Sequence, residues 1–285
     1  GVKPDDTDLA AIHRATVVGF GLEQPTLTSY QLQLQLAVRM RNDLVKKRSA
    51  LKCQIRENLL CVMPGYDQLF GERLWESELA MELALHYRSA LAIDKASLDE
   101  LASYLKSRKI PHRRRSLEKV KSWSLASAPG EPLGELRWPS IQSLWDDLLG
   151  KTQGIFDAEL KLATLLAKSP YLLLLAIPGI NVTTAAELAG EMGGIEGYAN
   201  ASAITGRAGL YPCSYQTSNI EIKHLPLVRH GNKRLRNALL KIAANLLVFN
   251  QYSQLKKTNW KLEETPAKIL KVRVAKQFSR LLFTM

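Results

Sequence analysis

Cysteine is scarce in this sequence: Cys53, Cys61 and Cys213 are the only three among 285 residues, odd in number and far apart. Such spacing excludes a disulfide framework and a zinc pattern, and it fits a reducing compartment. The five histidines are equally scattered. Long apolar runs are missing too. The longest, Leu172 to Ile177, ends at Pro178 and is far too short to cross a bilayer. No secretory signal is visible, so a cytoplasmic protein with no membrane partner is expected. Aromatic residues make up only 7% and strand signals are weak throughout, whereas 46% hydrophobic and 23% charged residues exclude collagen-like, low-complexity and wholly disordered chains.

Acid is what the last third lacks. Residues 201–285 hold 15 Lys and Arg against 3 Asp and Glu, which equals the net charge of +12 for the whole chain. Residues 1–60 contribute +3 and residues 61–200 contribute −3. A basic field so localised points to a polyanionic partner, nucleic acid or an anionic membrane surface, and the missing apolar run weighs against the membrane.

The length allows roughly two domains. After a polar start, "DTDLAAIHRAT" reads as a brief helix. Leu32, Leu36, Met40, Leu44, Leu51, Ile55 and Leu59 then recur at spacings of four and seven, the stripe of a long helix stopped at Pro64-Gly65. Residues 72–110 predict two more helices, the second opened by a capping box of Ser97 and Glu100. Composition marks 111–139 as a connector, basic in "PHRRRSLEKVKSW" and then rich in Pro, Gly and Ser. A second stripe follows in Ile141, Leu144, Leu148, Ile155, Leu162 and Leu165. The two stripes suit an antiparallel coiled coil, within one chain or between two, and equally two helices of one bundle core. Short helices run from Pro170 to about residue 250, followed by a basic helix from about Pro266 to Leu282. A mainly α chain is expected.

Four constellations bear on chemistry. Ile177-Pro178-Gly179-Ile180-Asn181, before a Thr-Thr-Ala-Ala helix start, resembles the helix-hairpin-helix motif. Its tight turn needs positive φ at Gly179, tolerated at Asn181, and aims free helix N–H groups near Thr183 at a nucleic-acid phosphate. An ordinary turn between helices accounts for the same residues. Asn232 can cap a helix with Leu235, Ala238, Leu239, Ile242 and Leu246 inside, leaving Lys233, Arg234, Arg236 and Lys241 on other faces as a phosphate-binding edge. Ser214, Thr217 and Ser218 precede it in a polar loop without a visible activating base. Asp5 and Asp8, at i and i+3, share one side of a helix turn and can share a hard divalent cation, or simply favour a helix N-terminus.

In this order the segments resemble the insertion sequence 110 family of transposases, RNA-guided DNA recombinases of mobile elements. The family pattern Lys-Thr-Asp-x-x-Asp-Ala is matched by Lys3-Pro4-Asp5-Asp6-Thr7-Asp8-Leu9. Its arginine-rich helix is matched from Val38 to Leu60, and its C-terminal domain by "AIPGINVTTAAELAGEMG", "ITGRAGLYPCSYQTSN" and "VRHGNKRLRNALLKIA". The middle, about 65–135, matches mainly in helical character. The resemblance implies a remnant of a RuvC-like, RNase H-like domain over 1–27, a helical coiled-coil and dimerisation region over 28–168, and an α-helical transposase domain over 169–285. It makes Asp5 and Asp8 the last two acids of a DEDD site for Mg²⁺ or Mn²⁺, with the others expected upstream of Gly1. The chain is then expected to be N-terminally truncated and inactive alone. Ser218 takes the place of the nucleophile, with Asn219 where the family has glycine, and Ser214 is the second choice. Gly179, Asn181, Thr183, Lys233, Arg234 and Arg236, with Arg39, Arg41, Arg48 and Arg56, would hold DNA and guide RNA. A homodimer or homotetramer in the bacterial or archaeal nucleoid is implied. The rival expectation is a non-catalytic nucleic-acid-binding module or a decayed element.

Overall fold

The computed structural model describes residues 9–11, 13, 14, 17, 27–212, 227, 228, 230–262 and 266–285. Every described element is helical, and the only strand-like contact among these residues is an isolated bridge between Pro212 and Leu227. No described helix is long and apolar enough to cross a membrane. The chain forms two units: an inserted unit of residues 40–158, and a split unit of residues 1–39 and 159–285. Two long helices, α1 (Ser29–Val62) and α7 (Trp138–Leu166), contribute to both.

In the inserted unit, α1 is followed by α2 (Tyr66–Phe70), a 3₁₀ turn (Gly71–Leu74), α3 (Glu78–Tyr87), α4 (Ala90–Lys95), α5 (Leu98–Ser107) and α6 (Arg114–Ala126). The first of the two helices expected over 72–110 is broken. Arg88 adopts φ 60 and ends α3, after which the Ser89 hydroxyl accepts from the Ala92 amide and starts α4. The capping box of α5 is formed: the Ser97 amide donates to Glu100 at 2.7 Å and the Glu100 amide to Ser97 Oγ at 3.2 Å.

The expected connector over 111–139 contains α6, a helix of 13 residues. Leu117, Val120 and Trp123 recur at three-residue spacing and are buried, while the three arginines at 113–115 stay exposed and dominate the composition. Trp123 Nε1 donates to the Pro64 carbonyl at 3.0 Å, and its ring meets Tyr66 edge-on at 4.9 Å. Lys121 Nζ donates to the carbonyls of Ile93, Asp94 and Ala96, adding a second positive charge at the C-terminus of α4, whose own last turn carries Lys95.

The stripe on α1 departs from expectation at its start. Leu32, Leu36 and Met40 are 44%, 56% and 65% exposed, whereas Leu34, Ala37 and Val38 are buried. Strict four-residue spacing advances about 40° per step around a helix of 3.6 residues per turn, so the apolar row winds off the buried face. Ile55 and Leu59 lie back in the core of the inserted unit with Ile141 and Leu148 of α7, Leu162 and Leu165 of α7 lie in the core of the split unit, and Ile155 is buried too. Within the inserted unit the Arg137 guanidinium donates to Asn58 at 3.3 Å, and Leu44 lies beside Gly154. Within the split unit the Tyr30 hydroxyl donates to the Leu165 carbonyl. The two pairs of the inserted unit run in opposite directions along the chain, an antiparallel pairing inside that unit.

Burial raises the Tyr66 phenol far above its ordinary value of 10.0, and burial together with the Glu82 carboxylate pushes Tyr104 up to about 12. A raised folded-state pKa leaves stability intact below pH ~10 and removes it as pH climbs toward the folded value. Urea midpoints are therefore expected to hold up to about pH 10 and fall above it, and Tyr66→Phe should blunt the fall. The phenol cannot ionise without abandoning its 2.7 Å hydrogen bond to the Ala80 carbonyl.

Candidate nucleic-acid interface

The split unit is built on a 3₁₀ segment (Pro170–Ala176), α8 (Val182–Met192), α9 (Ala201–Ala208), α10 (Lys233–Phe249), α11 (Gln251–Leu262) and α12 (Ala267–Thr284). The turn into α8 closes with the Ile180 amide donating to the Ile177 carbonyl at 3.1 Å. Gly179 has φ 99, and a Cβ there would stand 3.1 Å from the Asn245 carbonyl oxygen and 3.3 Å from the Phe249 Cβ. Its bare backbone is thus needed for contact with α10. Asn181 is extended, with φ −110, rather than the second positive-φ position expected from sequence. Its side chain accepts from the Thr184 amide at 2.9 Å while Thr184 Oγ1 accepts from the Asn181 amide at 3.1 Å. The amides of Val182 and Thr183 meet no acceptor among the described residues, and Thr183 is half-buried. They are the free donors of a helix N-terminus.

At the other end of α8, the Tyr171 hydroxyl donates to the Gly193 carbonyl at 2.6 Å, and Tyr198 donates to Met192 at 2.9 Å. Arg207 reaches the Tyr198 oxygen at 2.6 Å and the Met192 carbonyl at 3.2 Å. Burial raises the Tyr198 phenol, and the Arg207 charge and hydrogen bond partly offset it.

Asn232 caps α10, its side chain accepting from the amides of Arg234 at 2.9 Å and Leu235 at 3.1 Å. Leu235, Ala238, Leu239, Ile242 and Leu246 are all buried, as the spacing predicts. The cations divide into two groups. Lys233 and Arg234 are exposed at the N-terminus of α10. Arg236 turns inward: Nε donates to the Ala208 carbonyl at 2.8 Å, and Nη2 to Val228 at 2.8 Å and His230 at 2.7 Å. Lys241 donates to both oxygens of buried Glu187, at 2.9 and 2.7 Å.

Arg39 likewise serves the interior. Its Nε and Nη2 both lie 3.2 Å from Oε1 of Glu191, which is 4% exposed, and Asn232 Nδ2 donates to Oε2 at 3.2 Å. Arg41 donates to Asn42 at 3.3 Å. In the inserted unit, Arg56 pairs with Asp67 at 3.3 Å, and half-buried Arg48 adds its charge to burial in lowering the Lys52 pKa. The remaining exposed cations of the split unit include Lys268, Lys271 and Arg280 on α12.

Ser214, Thr217 and Ser218, and both Asp5 and Asp8, lie outside the described residues. The two ends of the segment that holds the serines are described, and they are fastened. Pro212 pairs with Leu227, the Val228 amide donates to the Tyr211 carbonyl at 3.1 Å, and Arg236 ties Val228 and His230 to the end of α9. Gly209, with φ 64, makes room for the clamp, since a Cβ there would strike the Arg236 guanidinium and the His230 carbonyl. Sequence spacing could not reveal that role for Arg236, because its acceptors belong to other segments.

These features define a helical domain with exposed cations, in which Pro212 and Leu227, the described neighbours of residues 213–226, are held together. Residues 171–258, which take in the turn into α8, the Arg236 clamp and the segment with Ser214 and Ser218, match the family model of the transposase IS116/IS110/IS902 family. Over these residues the split unit is similar to the transposase domain of that family, a similarity that supports a part in DNA transposition. No curated protein matches the chain.

Proposed function

We propose that this chain binds DNA through the split unit and cleaves and rejoins DNA strands with Ser218 as the nucleophile, under the guidance of an RNA and as a homodimer or homotetramer. The observation that carries this reading is the family match, which encloses Ser214 and Ser218 in sequence together with the Arg236 clamp. Exposed Lys233 and Arg234 beside the N-terminus of α10, and the free amides of Val182 and Thr183 beside Gly179 and Asn181, supply phosphate donors that read no sequence. In this reading the turn at Gly179 acts as a helix-hairpin-helix that holds backbone phosphate.

The Ser218 oxygen would attack phosphorus, forming a phosphoserine link while the displaced sugar oxygen leaves with a proton. The carboxylates of this reading, Asp5 and Asp8 of a RuvC-like remnant, are those that the resemblance to the insertion sequence 110 family implies, and among the described residues no group of three or more His, Cys, Asp or Glu could hold a metal. Oxygen donors of this kind suit Mg²⁺ or Mn²⁺, and two of them need further ligands to complete a site. A bound ion would polarise the phosphate and stabilise its added charge. Ser218 would do the bond-making, and the cations would hold the strand in place.

The test is the SDS-resistant protein–DNA adduct in the complete protein with labelled DNA and Mn²⁺. Ser218→Ala is expected to lower the adduct at least ~10³-fold while DNA affinity stays within about twofold. Loss of the adduct in Ser214→Ala instead would move the nucleophile there. DNA binding without any adduct in the parent would favour the non-catalytic module.

A further inference from the structure

Beside the turn, α10, α11 and α12 enclose an open cavity of about 520 Å³. Its floor is apolar, made by Leu246, Val274, Phe278 and, from the turn itself, Ile177. Two amides face it: Asn250, whose oxygen already accepts from the Ser253 amide at 3.0 Å, and Gln277, whose side chain meets no partner among the described residues. Tyr252 lines it, 62% exposed, with Lys256 Nζ 5.0 Å from the ring centre. Arg280 is a second lining cation, and no described lining residue is acidic.

We propose that this cavity receives one unpaired nucleotide of a single strand, with the base in the cavity and its phosphate on Lys256 and Arg280. A bare phosphate would leave the apolar floor without a role, and an uncharged apolar ligand would leave two cations unanswered. A nucleotide satisfies both: a flat apolar face for the floor and Tyr252, a donor and acceptor edge for Gln277, and an anion for the cations. The volume lies within the usual range of ligand sites. The inference rests on the nucleic-acid reading above, and it adds a site for a base where that reading needs only phosphates.

The test compares fluorescence anisotropy of single strands of about a dozen nucleotides with strands of equal length made wholly of abasic sites. Deoxyribose and ribose versions run in parallel, and a base-dependent preference in either supports the site and identifies the strand that fills it. The parent chain should bind the base-bearing strand roughly tenfold tighter than the abasic one. Gln277→Trp, which fills the cavity, and Tyr252→Ala, which removes an exposed ring, should each erase that ratio while leaving duplex and abasic binding and the thermal melt as in the parent. Equal binding of base-bearing and abasic strands by the parent overturns the proposal, as does an unchanged ratio in both variants. Absence of any salt-dependent binding, even to duplex DNA, would instead sink the functional reading on which it rests.

Discussion

Replacing Arg236 with alanine is expected to destabilise the split unit by about 3 kcal/mol, a fall in Tm of roughly 6–12 °C for a unit of this size. Three backbone carbonyls, of Ala208, Val228 and His230, accept from one guanidinium and would be left to find other donors. Hydrogen bonds to a charged donor are worth more than neutral ones, and their loss exposes the acceptors' full desolvation cost. Lysine should not rescue the variant. A single ammonium cannot reproduce a planar fork that serves α9 and the 228–230 segment at once. The neighbouring Arg234→Ala supplies the control: Arg234 is exposed, so its melt should stay within about 0.5 kcal/mol of the parent. The proposed chemistry adds a second readout, because the clamp fixes the base of the segment that contains Ser218. Adduct formation should fall in Arg236→Ala even at temperatures where the unit remains folded. An Arg236→Ala protein that melts like the parent would show that the clamp carries no weight.

Local signals were legible in the sequence, and distant partners were not. The cap at Asn232 and the inner row from Leu235 to Leu246 are set by spacing within one helix, and the structure has them as the pattern predicts. The capping box of Ser97 and Glu100 is equally local. Arg236 and Lys241 read as surface charges on that same helix, yet their partners stand on α9, α8 and the segment before α10, where no helical periodicity reaches. Helix α6 was hidden for a different reason: its charged turns outweigh an inward row of only Leu117, Val120 and Trp123. On α1 a four-residue repeat imitated a core stripe over Leu32, Leu36 and Met40 while the buried face followed Leu34, Ala37 and Val38. The resemblance to a transposase came from segments at both ends of the chain, and the family match lies over the C-terminal ones, 171–258.

The buried carboxylate of Glu191 leads to the other large effect. Arg39 neutralises it through two donors and Asn232 completes its second oxygen, so the pair links α1, α8 and the cap of α10 inside one unit. Arg39→Ala is expected to cost about 3 kcal/mol, because it strands a charge in the interior rather than because the pair itself is strongly favourable. Glu191→Gln should cost less, since the amide keeps a hydrogen-bonding oxygen and carries no charge. The double variant, Arg39→Ala with Glu191→Gln, should then recover much of the loss, and urea unfolding of the four proteins gives the coupling directly. A phosphate-binding Arg39 makes the opposite pattern. Its removal would leave the urea midpoint unchanged and reduce the slope of log affinity against log salt by about one for duplex DNA. The geometry favours the structural outcome, since both Nε and Nη2 already point at Glu191 Oε1. Under the proposed function fewer cations are free for DNA than the +12 of the sequence suggests, since Arg39, Arg236 and Lys241 are paired with acceptors of the protein, Lys241 while still half exposed, and Lys233 and Arg234 face outward.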